Sequence, residues 1–478
     1  MQISDDYSPL ELTAEQLRRD VELTLEYLGQ HLTTLDQQPA WDQVQNTPNA
    51  VSPRETVPET GQPLKDILDD LFNNRMSPSY NPSCGGYLAY VPGGGLPHAA
   101  VADLISGIVN KFITVWQVAP GFANMEADVV QWFSSLIGYP EGSGGYLTTG
   151  GSLANWSAIV TARRIVLDDN FFNGVIYTTA QAHHSVTKAA VLAGFPETNI
   201  REVDTKDLSL STDHLSDLIA QDKNDGMRPF MVVANAGTTN TGAIDPLVNI
   251  SAICEQNEMW MHTDAAYGGF FMMTERGRAA LQGLELSDSI TLDPHKGLFL
   301  PYGTGCVLVK NVTSLERAHK VSAKYLPPFQ EDSQHVDFCG ISPELSRDFR
   351  GLRVWLPFKL FGAPTFASYL DEKLDLCQHA YKQISELRNI EILATPKLST
   401  FAFRYNPADK DLDEAELNEL NQRFLTELNA SKRFLLSSTY LDDAFTIRVC
   451  VLCFRTHTTH VRFCVDEVLR VVNQFNNA

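Results

Sequence analysis

The run Leu292-Asp293-Pro294-His295-Lys296 puts a lysine just beyond a short apolar segment, Ser289 to Leu292. Open α/β sheets tend to place ligands at such positions. Most lysines are solvated surface charges. A lysine whose pKa is lowered by burial and a neighbouring ligand instead offers a free amine that forms Schiff bases with carbonyl compounds. That is the expectation for Lys296. Upstream, Met261-His262-Thr263-Asp264-Ala265-Ala266-Tyr267 ends an apolar run on an acid followed by small residues. Asp264 alone fits a helix cap or a turn equally well. Beside a pyridine nitrogen, its carboxylate would hold the ring proton and strengthen an electron sink. Tyr146-Leu147-Thr148-Thr149-Gly150-Gly151-Ser152-Leu153-Ala154-Asn155 reads as strand end, glycine turn and helix start. Its free N–H groups and helix dipole suit a phosphate, with Ser152 adding a hydroxyl. The spacing matches neither the Walker nor the dinucleotide pattern. His183, in Gln181-Ala182-His183-His184-Ser185, follows another predicted strand and is placed to stack on a ring. Together these are the parts that pyridoxal 5'-phosphate (PLP) chemistry requires.

No metal is expected. Adjacent histidines on one loop make a poor start to a ligand set, and His457 and His460 have no third ligand near them in sequence, so both read as surface residues. The eight cysteines are scattered singly except for Cys450 and Cys453. That pair falls in an apparent strand from Ala444 to Phe454, where an odd separation points two side chains to opposite faces. A redox or metal role is not expected of it.

Helices and strands must bring the chemical residues together. Between about Pro97 and Leu360, helical patterns alternate with short apolar runs: Gly174 to Thr178, Phe230 to Ala236, Trp260 to Asp264, Ser289 to Leu292 and Gly305 to Val309. This alternation predicts a mostly parallel sheet covered by helices. Before it come an amphipathic helix from Thr13 to about Leu32 with a Thr13/Gln16 capping box, a loop from Gln37 to Pro63, and a helix from Pro63 to Asn74. Next is Gly85-Gly86-Tyr87-Leu88-Ala89-Tyr90-Val91-Pro92-Gly93-Gly94-Gly95, a flexible or close-approach segment. From Ala363 onward the pattern becomes α+β: a helix from Phe366 to Leu387, a strand pair within Glu391 to Tyr405, a helix from Asp413 to Ala430, the Ala444 strand and a final helix. The expected division is 1–95 (helical), 96–362 (large α/β) and 363–478 (small α+β).

The chain has 478 residues, enough for two large lobes, and a net charge of -21 without a basic stripe, which argues against a nucleic-acid partner. A local pocket of N–H groups still holds a phosphate within an acidic protein. No apolar run reaches the roughly 20 residues of a membrane helix, and the start does not read as a signal peptide. A cytoplasmic location is the expectation.

The order and spacing of His262-Thr263-Asp264-Ala265-Ala266-Tyr267 and Pro294-His295-Lys296 resemble the group II PLP-dependent amino-acid decarboxylases, most closely the aromatic and histidine decarboxylases. The resemblance runs from about Tyr87 to the C-terminus. It implies a type I PLP-dependent fold, aspartate aminotransferase-like, and decarboxylation of an amino acid to an amine. It implies Lys296 as the Schiff-base lysine, Asp264 as partner of the ring nitrogen, and His183 stacked on the ring. Gly151, Ser152 and His295 would contact the phosphate, while Ala266 and Thr238 or Thr239 would lie beside the cofactor. Ala323-Lys324-Tyr325-Leu326-Pro327 resembles the family's catalytic loop, whose tyrosine returns a proton to the substrate carbon. Relatives that make aldehydes carry phenylalanine there, so Tyr325 implies simple decarboxylation. Two positions depart from the pattern: Asp293 replaces an asparagine found in several animal members, and Leu153 a common glutamate. A carboxylate repels a phosphate, so Asp293 is not assigned to it.

Tyr90, Pro92, Phe112, Thr114 and Ser346 are candidate substrate-pocket residues; Ser346 resembles the histidine-selective enzymes. The substrate expected is aromatic or histidine-like, with a small or acidic amino acid as the alternative. A PLP-dependent carbon–carbon lyase would share the lysine and aspartate, and a non-catalytic scaffold would be expected to have lost them. The family also implies a homodimer with the active site at the interface and the N-terminal helices embracing the partner.

Overall fold

The computed structural model describes residues 10–42, 55–76, 79–167, 169–320 and 335–477. Its first nine strands are β1 (Gly144–Thr148), β2 (Gly174–Thr178), β3 (Ile200–Glu202), β4 (Thr205–Lys206), β5 (Ser209–Leu210), β6 (Arg228–Asn235), β7 (Trp260–Asp264), β8 (Ser289–Leu292) and β9 (Gly305–Val309). Seven form one sheet in the order β1-β9-β8-β7-β6-β2-β3, and β4 and β5 pair separately. The β3, β2, β6, β7 and β8 neighbours are parallel, whereas β9 runs antiparallel to both β8 and β1. The strand ends of β1, β2, β6, β7 and β8 therefore open on the same edge. Strands β1, β2, β7, β8 and β9 are buried throughout. They read as continuous apolar runs because helices cover both faces. Alternate residues divide between the two cores: Val232 and Ala234 enter one, Met231 and Val233 the other.

A second sheet, β10-β11-β13-β12, is antiparallel and built from β10 (Ile390–Ala394), β11 (Thr400–Tyr405), β12 (Ser437–Leu441) and β13 (Ala444–Cys450). It packs on the helices Ala363–Ser385, Glu414–Asn429 and Thr458–Asn476 around Phe401, Phe403, Phe424, Ile447 and Val468. Asp413 caps the middle helix in a capping box with Glu416.

Two sequence expectations change here. Strand β13 stops at Cys450, so Cys453 lies in the following turn and the opposite-faces argument does not apply to the pair. Both thiols are nonetheless buried, and burial raises the pKa of each. His457 is exposed and meets Glu372 at 2.8 Å, but His460 is not a surface residue. It is half-buried, and a Cβ at Gly85 would come within 2.4 Å of its ring. The N-terminal part is tied to the C-terminal part of the chain. Ala40 and Trp41 donate to the Lys432 and Asn429 carbonyls, and Leu88 exchanges backbone bonds with Leu435 and Cys450. Residues 85–95 thus take the close-approach reading: a Cβ at Gly86 would sit 2.1 Å from the Arg433 oxygen, and one at Gly93 2.0 Å from the His295 oxygen. The helix Ala14–Thr34 keeps its Thr13/Gln16 capping box yet buries no residue, resting on the helix Leu64–Asp70 through a 2.5 Å Tyr27–Asp69 hydrogen bond.

Candidate active site

The shared strand edge gathers the chemical residues. Lys296 sits on the single helical turn Pro294–Gly297 after β8, Asp264 ends β7, His183 follows β2, and Gly151 and Ser152 open the helix Gly151–Ala162 after β1. All four groups line one cleft of about 330 Å³, together with Thr238, Thr239, Ala266, Asp293 and His295. That volume lies at the small end of the ligand-pocket range. Lining is polar and convergent. Gly151 is needed at the turn, because a Cβ there would meet the Asp293 carboxylate at 3.0 Å and the Ala266 methyl at 3.4 Å.

Asp264 is buried, and both carboxylate oxygens accept hydrogen bonds, Oδ2 from Asn155 Nδ2 at 2.9 Å and Oδ1 from Ala266 N at 3.1 Å. His183 Nδ1 accepts from the Ser185 backbone N–H at 3.2 Å and lies 2.7 Å from the Ser185 hydroxyl. An acceptor at Nδ1 leaves the proton on Nε2 of the neutral ring. Burial lowers the His183 pKa against the opposing pull of Asp264. His295 Nδ1 donates to the Thr304 carbonyl at 2.7 Å, which fixes its ring orientation. Thr238 is buried with its hydroxyl 2.8 Å from that of Thr241, and the Thr239 carbonyl accepts from Arg448. Ser152 stays exposed at the cleft.

Lys296 departs from its sequence expectation. Burial works to lower its pKa, but Asp293, with Oδ2 3.0 Å from Nζ, and Asp264 outweigh it, so the cofactor-free lysine is raised and held as an ammonium. Asp293 was set aside from the phosphate, and its place is against the lysine. Its Oδ1 is buried with no hydrogen-bond partner among the described residues. Asp293→Asn should free the amine, so cofactor capture at pH 7 should quicken by about tenfold for each unit the lysine pKa falls. Stopped-flow absorbance on mixing cofactor-free protein with PLP measures this; an unchanged or slower rate contradicts it.

Asn155, His262, Ser185 and Thr291 were not assigned roles from sequence. Asn155 lies one helical turn after Gly151 and Ser152, so the i, i+4 spacing from the phosphate turn was the available signal. His262 was part of the quoted motif, two residues before Asp264 on the same face of β7. Tyr90, Pro92, Phe112, Thr114 and Ser346 do not line the cleft. Thr114 is buried and donates to the Leu345 carbonyl at 2.6 Å, Pro92 is buried, Phe112 half-buried, and Tyr90 and Ser346 exposed. Tyr325 lies outside the described residues. No group of three or more possible metal ligands occurs among the described residues.

The site fits PLP: a lysine for the aldehyde, a carboxylate that accepts from two donors, a flat imidazole, and N–H groups at a helix start. Residues 48–406 match the pyridoxal-dependent decarboxylase conserved domain. An aromatic-L-amino-acid decarboxylase of Bacillus atrophaeus is 33% identical over 467 residues, 97% of this chain and 95% of that protein. Tryptophan decarboxylase of Catharanthus roseus, solved with L-tryptophan, superposes with a TM-score of 0.89 at 25% identity, covering 98% of this chain and 100% of the other. The fold is also that of an Oryza sativa structure described as TDC with PLP and tryptamine, with a TM-score of 0.92 at 22% identity and 98% and 100% coverage. With this fold and this cofactor cleft, the chain belongs to the pyridoxal-dependent decarboxylase family, uses PLP, and is an amino-acid decarboxylase.

Proposed function

We propose that the substrate is an aromatic L-amino acid, converted to its amine and CO2, and that Lys296, Asp264, His183 and Tyr325 carry the reaction. The convergence of Lys296, Asp264, His183 and the Gly151 turn on one cleft supports this most directly. Aromatic specificity is supported by the 33% identical Bacillus enzyme and the L-tryptophan complex.

Gly151 and Ser152 at the helix start, with His295, hold the phosphate. The His183 ring would pack on the pyridine, and the Asp264 carboxylate would hold the proton of its nitrogen. The Lys296 amine would hold the cofactor aldehyde. When bound, PLP supplies the electron sink that takes up the pair left as the carbon–carboxylate bond breaks. Holding that bond perpendicular to the ring is the work of the surrounding cleft. The Tyr325 hydroxyl returns a proton to the substrate α-carbon.

Measuring CO2, amine and aldehyde over L-tryptophan, L-tyrosine, L-phenylalanine, L-histidine and L-glutamate with added PLP tests both points. Aromatic substrates should give amine and CO2 in equal amounts; turnover confined to L-histidine or L-glutamate contradicts the specificity. Tyr325→Phe should lose amine and release aldehyde instead, and unchanged amine output removes Tyr325 from the mechanism.

A homodimer is part of the same proposal. The helix Pro97–Val109 leaves Val101, Leu104, Ile105, Ile108 and Val109 exposed, and Leu360 and Phe361 are exposed as well. A soluble chain gains by covering so much apolar surface. The unburied helix Ala14–Thr34 offers Leu25, Leu28 and Leu32 for an embrace. A stable, active monomer in sedimentation would contradict this.

A further inference from the structure

Asp264 and His183 are joined by one buried chain of hydrogen bonds whose direction is fixed along its length. Trp260 Nε1, a donor only, gives its proton to Ser289 Oγ at 2.8 Å, and Ser289 Oγ lies 2.8 Å from His262 Nδ1. Asn155 Oδ1, which only accepts, lies 3.0 Å from His262 Nε2, so that nitrogen carries a proton and donates to it, and the Thr291 hydroxyl also donates there at 2.7 Å. With its oxygen so occupied, Asn155 turns both amide protons the other way, one to Asp264 Oδ2 at 2.9 Å and one to Ser185 Oγ at 3.0 Å. Ser185 passes its own proton to His183 Nδ1.

We propose that Asn155, oriented by His262 and Thr291, is a positioning residue for the decarboxylation: its amide holds the Asp264 carboxylate in place as an acceptor and, through Ser185, sets His183 as the Nε2–H tautomer. This rests on the assignment of Asp264 to the ring nitrogen.

An amide has two orientations of nearly equal shape, and the neighbours decide between them. Flipped, Asn155 would face its N–H groups at His262 Nε2–H and the Thr291 hydroxyl and its oxygen at the Asp264 carboxylate. Those contacts are repulsive or unpaired in a fully buried site, where an unmade hydrogen bond is costly. The observed orientation needs a proton on His262 Nε2, and burial pulls that histidine down to about 4, which leaves Nδ1 to accept from Ser289. The other charged or titratable groups around the site are His183, His184, Tyr267, Asp293, His295, Lys296 and Cys450.

Asn155→Leu and Asn155→Asp in the holoenzyme test the role. Asn155→Leu keeps the shape and removes the donors. Its kcat should fall about 10- to 100-fold, the worth of one hydrogen bond to a buried charge. KM should stay within about twofold, and PLP should dissociate more readily from the variant holoenzyme than from the unsubstituted one. Asn155→Asp brings two carboxylates to hydrogen-bond distance, so the pair holds one proton until the pH passes its raised pKa. At acid pH that shared proton replaces the amide N–H and kcat should recover toward the unsubstituted enzyme; at alkaline pH it should fall toward the leucine variant. A purely packing role would give both variants losses without this pH dependence. The proposal is overturned if Asn155→Leu keeps kcat and PLP affinity, or if the Asn155→Asp pH profile parallels that of the unsubstituted enzyme. Nitrogen-15 NMR of the histidines in the unsubstituted, cofactor-free protein gives a readout independent of activity and of the role of Asp264. His262 should be the neutral Nε2–H tautomer at pH 7; an Nδ1–H tautomer or an imidazolium there also overturns it.

Discussion

Lys296→Ala is expected to reduce decarboxylation by roughly 10³-fold or more, because among the described residues no other amine lines the cleft to capture the cofactor aldehyde. The visible absorbance of the lysine-bound cofactor should vanish with it. Lys296 also neutralises Asp293, whose Oδ2 lies 3.0 Å away. Removing it strands a carboxylate that is almost wholly buried, and a buried charge without its partner is strongly destabilising. The variant should therefore melt at a lower temperature than the parent. Lys296→Ala combined with Asp293→Asn should regain stability without regaining turnover. That separates the chemical role of the amine from its structural one. A single variant retaining both absorbance and turnover would remove Lys296 from the mechanism.

Asp264→Asn should lower kcat by on the order of 10³-fold, within the range seen when a group stabilising charge in the transition state is lost. The substitution preserves shape, but its single oxygen can accept from the Ala266 N–H or from the Asn155 amide and not from both, so one donor loses its partner. What it lacks is the negative charge that keeps a ring nitrogen protonated. The deficit should therefore appear in kcat more than in KM, and the cofactor spectrum should shift. Steady-state kinetics with one aromatic substrate measures it. A kcat within about tenfold of the parent would show that the carboxylate charge is not what the reaction requires.

The strands that carry the site were legible because each is buried throughout and so forms a short, mostly apolar run. Trp260–Asp264, Ser289–Leu292 and Gly305–Val309 have the bounds the pattern predicts. Asp264 was legible because it ends such a strand, and Lys296 and His183 because each follows one within a few residues. Strand β13 was overextended to Phe454 because the apolar run continues through Val451, Leu452 and Cys453, which are buried without being a strand. Apolar pattern reports burial, and only backbone pairing distinguishes the two.

The ammonium state of Lys296 was missed for a different reason. Burial alone argues for a free amine, and the argument for a lowered pKa left out Asp293, which the helical turn brings back onto the lysine at i, i+3. Likewise the Asn155 clamp joins two strands and two helices from distant parts of the sequence, and periodicity carries no signal of it. The five substrate-pocket candidates stand apart from the cleft within one chain. Their proposed role depends on the second subunit that the exposed Pro97–Val109 face invites.

Whether Lys296 itself bears the cofactor is tested most directly by trapping. Borohydride reduction of the PLP-loaded protein, followed by proteolysis and peptide mass spectrometry, should place a single phosphopyridoxyl group on Lys296. A label on another lysine, or reduced protein carrying none, would contradict the assignment.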